Sequence, residues 1–195
     1  WLHWGDIGTI DSEGYLRITD RKKHLIITAG GKNVAPANIE RAVKNQSPLI
    51  SQVHAHGDRR KFICALIAPS PLETLVWGRE RGLLEAGEVQ ELEAELLANP
   101  SARSDALGAA MARVVENRDF QQLFREPVQR GNGELARVER VRKFFLLDRD
   151  FSQEGGELTP TMKMKRKVIE EKYAHLFDRV YDDPDFATDA GESRS

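Results

Sequence analysis

The chain has 195 residues, 40% of them hydrophobic and 31% charged, with a formal net charge of -2. That length suits one domain of ordinary size with a short tail, and the charge lacks the basic excess of a nucleic-acid-binding domain. No apolar run approaches the ~18 residues that span a bilayer, and no basic start followed by an apolar stretch marks a signal peptide.

The first residues, Trp1 and Leu2, stand where a strand is already under way, with no initiator methionine, so the chain is expected to begin inside a larger protein. Residues 5–19 read as two short strands around a turn at Asp11-Ser12-Glu13-Gly14. Asp20 to Lys23 is a polar, basic interruption, and His24 to Thr28, rich in β-branched residues, is predicted to be a strand ended by Gly30-Gly31. Pro36 suits the first turn of a helix that runs to about Gln46. Residues 51–56 and 62–68 read as paired strands joined through Gly57 to Arg60.

From Pro71 to Arg142 the pattern turns helical, in several amphipathic segments broken near Asn99-Pro100, Pro127 and Gly131 to Gly133. Lys143 to Leu147 returns to a strand, 152–161 is turn-rich, and a last helix is expected over 165–177. Residues 179–195 are polar and acidic and are predicted to be disordered. The fold class is therefore α+β: a small, mostly antiparallel sheet covered by helices, with residues 71–142 as a helical insertion between two strands.

Several residues could carry chemistry, each beside a plainer alternative. Asp6 lies in a glycine-flanked turn, where an aspartate commonly bonds its own backbone, but its carboxylate could also accept both hydroxyls of a ribose. Arg21, Lys22 and Lys23 make a cationic turn that is either solvated or a phosphate or ribose contact through the Arg21 fork. Gly30-Gly31 is either a strand-ending turn or a place where a ligand passes close to the backbone. It lacks the spacing of a phosphate-binding P-loop.

Lys163, Lys165, Arg166 and Lys167 crowd a helix start, the end of the dipole that disfavours cations, which hints that at least one has another duty. His54 and His56 point to one side of a strand and read as a surface pair, with no carboxylate or cysteine at a companion spacing, so no metal site is expected. The single cysteine, Cys64, lies in an apolar strand, reads as a buried inert thiol and fits a reduced, cytoplasmic setting.

Taken together in chain order, Gly5-Asp6, Asp20-Arg21-Lys22-Lys23, GGKNVAPANIE and LTPTMKMKR resemble the late motifs of the acyl-adenylate-forming ligases, in the wording of the long-chain fatty acyl-CoA synthetases. The helical block 71–142 is similar to the insertion of that group. The resemblance implies a two-step reaction: ATP and a long-chain fatty acid give acyl-AMP and pyrophosphate, then CoA gives acyl-CoA and AMP. It implies that residues 1–19 end a large N-terminal domain, 20–23 form a hinge, and 24–178 form a small domain that swings between two poses.

Residue by residue, it implies that Asp6 and Arg21 bind the nucleotide and that Lys23 is the pivot. Gly30 and Gly31 would border the pantetheine tunnel, and Lys163 would be the adenylation lysine. Trp4 stands where the family has threonine, and His24 where it has an acidic residue. The family's phosphate loop, its Mg²⁺-holding glutamate and its acyl tunnel have no counterpart in the sequence, so ATP, Mg²⁺ and the fatty acid are assigned mainly to the N-terminal domain, the expected partner. Alone, the chain is expected to be inactive. The localisation implied is cytoplasmic, with a peripheral membrane contact of the full-length enzyme left open. The alternatives are a non-catalytic binding module derived from this domain, or a fatty acyl-AMP ligase that feeds a carrier protein.

Overall fold

The computed structural model describes residues 6–10, 12–21, 25–183 and 185–190. A first hairpin pairs β1 (Asp6–Ile10) with β2 (Leu16–Arg21), antiparallel, with a bulge between Ile7 and Gly8. A second, very short one pairs β3 (Ile26–Ile27) with β4 (Asn33–Val34). The strand expected from His24 to Thr28 is therefore shorter: Thr28 already belongs to the turn, and His24 lies outside the described residues. Helix α1 (Pro36–Lys44) follows at once, with Pro36 in its first turn and Ile39, Ala42 and Val43 buried.

The main sheet has the order β5 (Ile50–His56), β6 (Ile63–Pro69), β7 (Val141–Leu146), β8 (Thr188–Asp189). β5 and β6 are antiparallel, β6 and β7 parallel, and β7 and β8 antiparallel. The expectation of a mostly antiparallel sheet thus holds with one parallel pair. A parallel pair needs a long crossover, and the helical insertion supplies it: α2 (Pro71–Glu80), α3 (Ala86–Ala98), α4 (Asp105–Val115), α5 (Arg118–Leu123) and α6 (Arg125–Gly133). Pro127 does not break this block; it sits in the first turn of α6, and the break falls one step earlier, at Phe124.

Every residue of β6 is buried, because both faces of the sheet are covered. Ile63, Ala65 and Ile67 face a core shared with α1 and the insertion helices. Cys64 and Leu66 face a second core, built with Ile169, Tyr173, Phe177 and Val180. One glycine and one asparagine tie the insertion to the rest. A Cβ on Gly131 would come within 2.9 Å of the Val43 Cα, so α6 can lie against α1 only without a side chain there. Asn132, buried beside it, donates to the Val141 carbonyl and accepts from the Val141 amide, both at 2.8 Å, as a strand partner would.

The C-terminal end departs from the sequence-based expectation twice. The single helix expected over 165–177 is two, α7 (Arg166–Lys172) and α8 (Ala174–Asp182), parted at Tyr173. Part of the tail predicted to be disordered is structured: α8 reaches Asp182, β8 joins the sheet, and Ala187 and Ala190 are buried. Residues 191–195 lie outside the described residues.

Candidate functional site

Asp6 and Arg21, the two residues expected to bind a nucleotide, are cross-strand partners in the register of β1 and β2. The chain thus brings their backbones together at the open end of the first hairpin. Their side chains, and Lys23 and Trp4 altogether, lie outside the described residues.

Gly30-Gly31 and Lys163 sit in two hairpin turns of the same construction. In the first, the Thr28 amide donates to the Lys32 carbonyl at 3.0 Å and the Gly31 amide to the Thr28 carbonyl at 2.8 Å. The Lys32 amide donates to the Thr28 hydroxyl at 3.2 Å. In the second, the Thr159 amide donates to the Lys163 carbonyl and the Met162 amide to the Thr159 carbonyl, both at 2.8 Å. The Lys163 amide donates to the Thr159 hydroxyl at 3.0 Å. Each turn needs a left-handed residue before its lysine: Gly31 at φ 73° in one, Met162 at φ 58° in the other. The shared pattern, Thr-x-x-x-Lys, stands in the sequence as TAGGK and TPTMK.

Gly31 is therefore explained by its backbone. Gly30 is not: its φ is ordinary for any residue, and an added Cβ would meet only the Thr28 hydroxyl, at 3.9 Å. Packing among the described residues does not require a glycine there. Lys163 is exposed, and its ammonium has no hydrogen-bond or ion-pair partner among the described residues.

Between the segments that carry these turns lies an open groove of about 990 Å³, with Ile26 and Ile27 on one side and Met164 and Arg166 on the other. His56 and Glu170 also line it. Here the structure corrects the surface pair expected of His54 and His56. His54 is fully buried, and His56 stacks on Phe177 with ring centroids 4.2 Å apart. Glu170, far along the chain on α7, meets both imidazoles: Oε1 lies 2.9 Å from His54 Nε2 and Oε2 lies 2.6 Å from His56 Nδ1. Burial pushes the Glu170 carboxyl up, but the hydrogen bonds and charges of the two histidines outweigh it and hold it down at about 2.

A second carboxylate, this one buried, stands close by. Glu40 on α1 lies 4.0 Å from His54 Nδ1, accepts from the Ala55 amide at 2.9 Å, and takes both guanidinium arms of Arg166, at 2.7 and 2.5 Å. That pairing is the other duty at which the crowd of cations before α7 hinted. Lys163, Lys165 and Lys167 are exposed; Arg166 turns inward. Glu40, Glu170 and the role of Arg166 were not found in the sequence, because the Arg166–Glu40 pair and the contacts of Glu170 with His54 and His56 each join residues more than a hundred positions apart.

Cys64 is buried as expected: burial pushes its thiol up to about 12, and the Tyr181 hydroxyl lies 3.5 Å from its sulfur. Among the described residues, no group of three His, Cys, Asp or Glu side chains stands close enough to hold a metal ion.

Residues 23–85 match the AMP-binding enzyme C-terminal domain. Long-chain-fatty-acid–CoA ligase ACSBG1 of Mus musculus is 40% identical over 184 residues, 93% of this chain and 24% of that protein. Long-chain-fatty-acid–CoA ligase FadD15 of Mycobacterium tuberculosis is 37% identical over 181 residues, 93% of this chain and 26% of that protein. The chain thus spans about a quarter of the length of these relatives. Among solved structures, the adenylation domain of a carboxylate reductase from Mycobacterium chelonae matches with a TM-score of 0.63 and 23% identity, over 92% of this chain and 23% of that one. At that identity the likeness speaks for the fold alone.

Proposed function

We propose that this chain, whose residues 23–85 carry an AMP-binding enzyme C-terminal domain and which is a homologue of long-chain fatty acid–CoA ligases, works as the mobile small domain of such a ligase. The observation that carries the reading is the pair of matching turns. One presents a glycine that packing among the described residues does not require, and the other an ammonium with no partner among them. Both features make sense against a second domain.

In the first step a fatty acid carboxylate attacks the α-phosphorus of ATP and pyrophosphate leaves. Two anions approach each other, and the Lys163 ammonium offsets charge on both, most of all in the transition state. In the second step the thiolate of CoA attacks the acyl carbon and AMP leaves. The backbone at Gly30 then borders the pantetheine, where a side chain would obstruct it. Asp6 and Arg21 hold the nucleotide, Lys23 is the pivot, and the partner domain supplies the phosphate loop, Mg²⁺ and the acyl pocket. The chain alone makes neither acyl-AMP nor thioester.

The test separates the half-reactions in the polypeptide that carries this chain with its large domain. Lys163→Ala is expected to slow acyl-AMP formation at least about a hundredfold, in line with losses on removing one electrostatic stabiliser. Thioester formation from supplied acyl-AMP should be kept; equal loss of both steps would count against the assignment. Gly30→Leu is expected to do the reverse, and unchanged kinetics in the CoA step would refute the tunnel role. Transfer to a carrier's phosphopantetheine arm in place of free CoA would move the reading to a fatty acyl-AMP ligase.

A further inference from the structure

The turn that bears Lys163 is the tip of a hairpin whose two arms meet in a single bridge, Leu158 with Met164. Beyond the bridge the Lys165 amide donates to the Glu157 carbonyl at 2.7 Å. An exposed tip on so short a ladder is held in place by whatever grips its arms. Each arm ends on a buried carboxylate.

Under the incoming arm, Glu157, 2% exposed, accepts from the Lys172 ammonium at 2.5 Å and from the Tyr173 hydroxyl at 3.2 Å. Both partners lie at the end of α7, so this grip stays within one stretch of chain. Under the outgoing arm the grip is of another kind. Arg166, three residues past Lys163, forks onto Glu40, 126 positions earlier in sequence. Their side chains are 17% and 8% exposed, so water contributes little to the pair. Glu40 lies on α1, and α1 follows directly on β4, the strand that leaves the Gly30 turn. A planar fork on a carboxylate fixes direction as well as distance, which a lysine in the same place would not.

We infer that Arg166 is a positioning residue for Lys163: its fork on Glu40 sets where the ammonium stands relative to α1 and the Gly30 turn. The inference rests on the role proposed above for Lys163. A misplacement of about 1 Å at a reacting group can cost on the order of a hundredfold in rate. A lysine at 166 keeps the charge and loses the fork.

The experiment uses the polypeptide that carries this chain with its large domain and compares Arg166→Lys, Glu40→Gln, Lys163→Ala and the double variant Lys163→Ala/Arg166→Lys. Arg166→Lys and Glu40→Gln are each expected to lower kcat for acyl-AMP formation about tenfold to a hundredfold. KM for ATP and fatty acid should stay within about twofold, since neither residue is placed against a substrate. The CoA step from supplied acyl-AMP should keep its rate, which also shows that the variants are folded. On the Lys163→Ala background, Arg166→Lys should cost nothing further, because the group it positions is gone.

Wild-type adenylation in both Arg166→Lys and Glu40→Gln would overturn the inference. So would equal fractional loss in both half-reactions, which marks a merely structural pair, and so would full additivity in the double variant. Adenylation left intact by Lys163→Ala would instead remove the reading on which the inference stands, and that arm is scored by itself.

Discussion

At Glu170 two effects of opposite sign meet, and their balance can be measured. Burial alone would raise the carboxyl; His54 and His56 bring it from its ordinary 4.5 to about 2. A carboxylate depressed in the folded state contributes stability that is whole above about pH 4.5 and is lost as the pH falls toward 2. The Glu170 side chain is 37% exposed, so water screens the pair, and after that discount the contribution is about 1 kcal/mol. Glu170→Gln should therefore lower the unfolding midpoint at pH 6 by about 2–4 °C. The variant should also lose less stability than wild type between pH 4.5 and 2. Parallel pH profiles would show that the histidines do not hold the carboxylate. The shared face of His54 and His56 follows from the period of two along a strand. Their burial does not, because the Phe177 ring and the Glu170 carboxylate that cover them come from helices built much later in the chain.

Elements were most legible where local pattern and packing agree. The strands expected at 51–56 and 62–68 are β5 and β6 almost to the residue, and Pro36 opens α1 as its fixed φ dictates. The insertion was legible as a helical block between strands, but not as a crossover: nothing in residues 71–142 says that the strand after it returns parallel to β6. The break between α7 and α8 carries neither glycine nor proline. It falls where the Tyr173 hydroxyl reaches Glu157, a contact that composition does not reveal. The two Thr-x-x-x-Lys turns were present in the sequence from the start, yet Met162 hid the second one, since a methionine in a left-handed position runs against its usual preference by about 1–2 kcal/mol. Of the candidate site, Gly30, Gly31 and Lys163 were legible through motif wording, whereas Glu40 was not, because its partner Arg166 lies across the fold.

For the molecule as a whole, the sheet separates two cores, and the residues that flank β8 serve both. Ala190 belongs to the core shared with α1 and the insertion helices; Ala187 belongs to the one under α7 and α8. Phe186 extends the second, beside Phe145 and under the Arg179 guanidinium. The Asp189 carbonyl accepts from Arg125 at the start of α6 at 3.0 Å, which ties the strand to the insertion as well. Composition alone made this segment a solvated tail, but a two-residue strand flanked by two buried alanines needs few apolar residues when the sheet edge is already built. Ending the chain at Asp183 should uncover apolar surface on both sides of β7 at once. At about 25 cal/mol per Å² of apolar area, that loss comes to about 2 kcal/mol. The unfolding midpoint should then drop by roughly 4–8 °C. Chemical denaturation should show the midpoint falling for probes in both cores together, Trp77 on one side and Tyr173 on the other. A truncated chain that kept its midpoint, or that loosened on one side only, would show that β8 does not close the two cores as a unit.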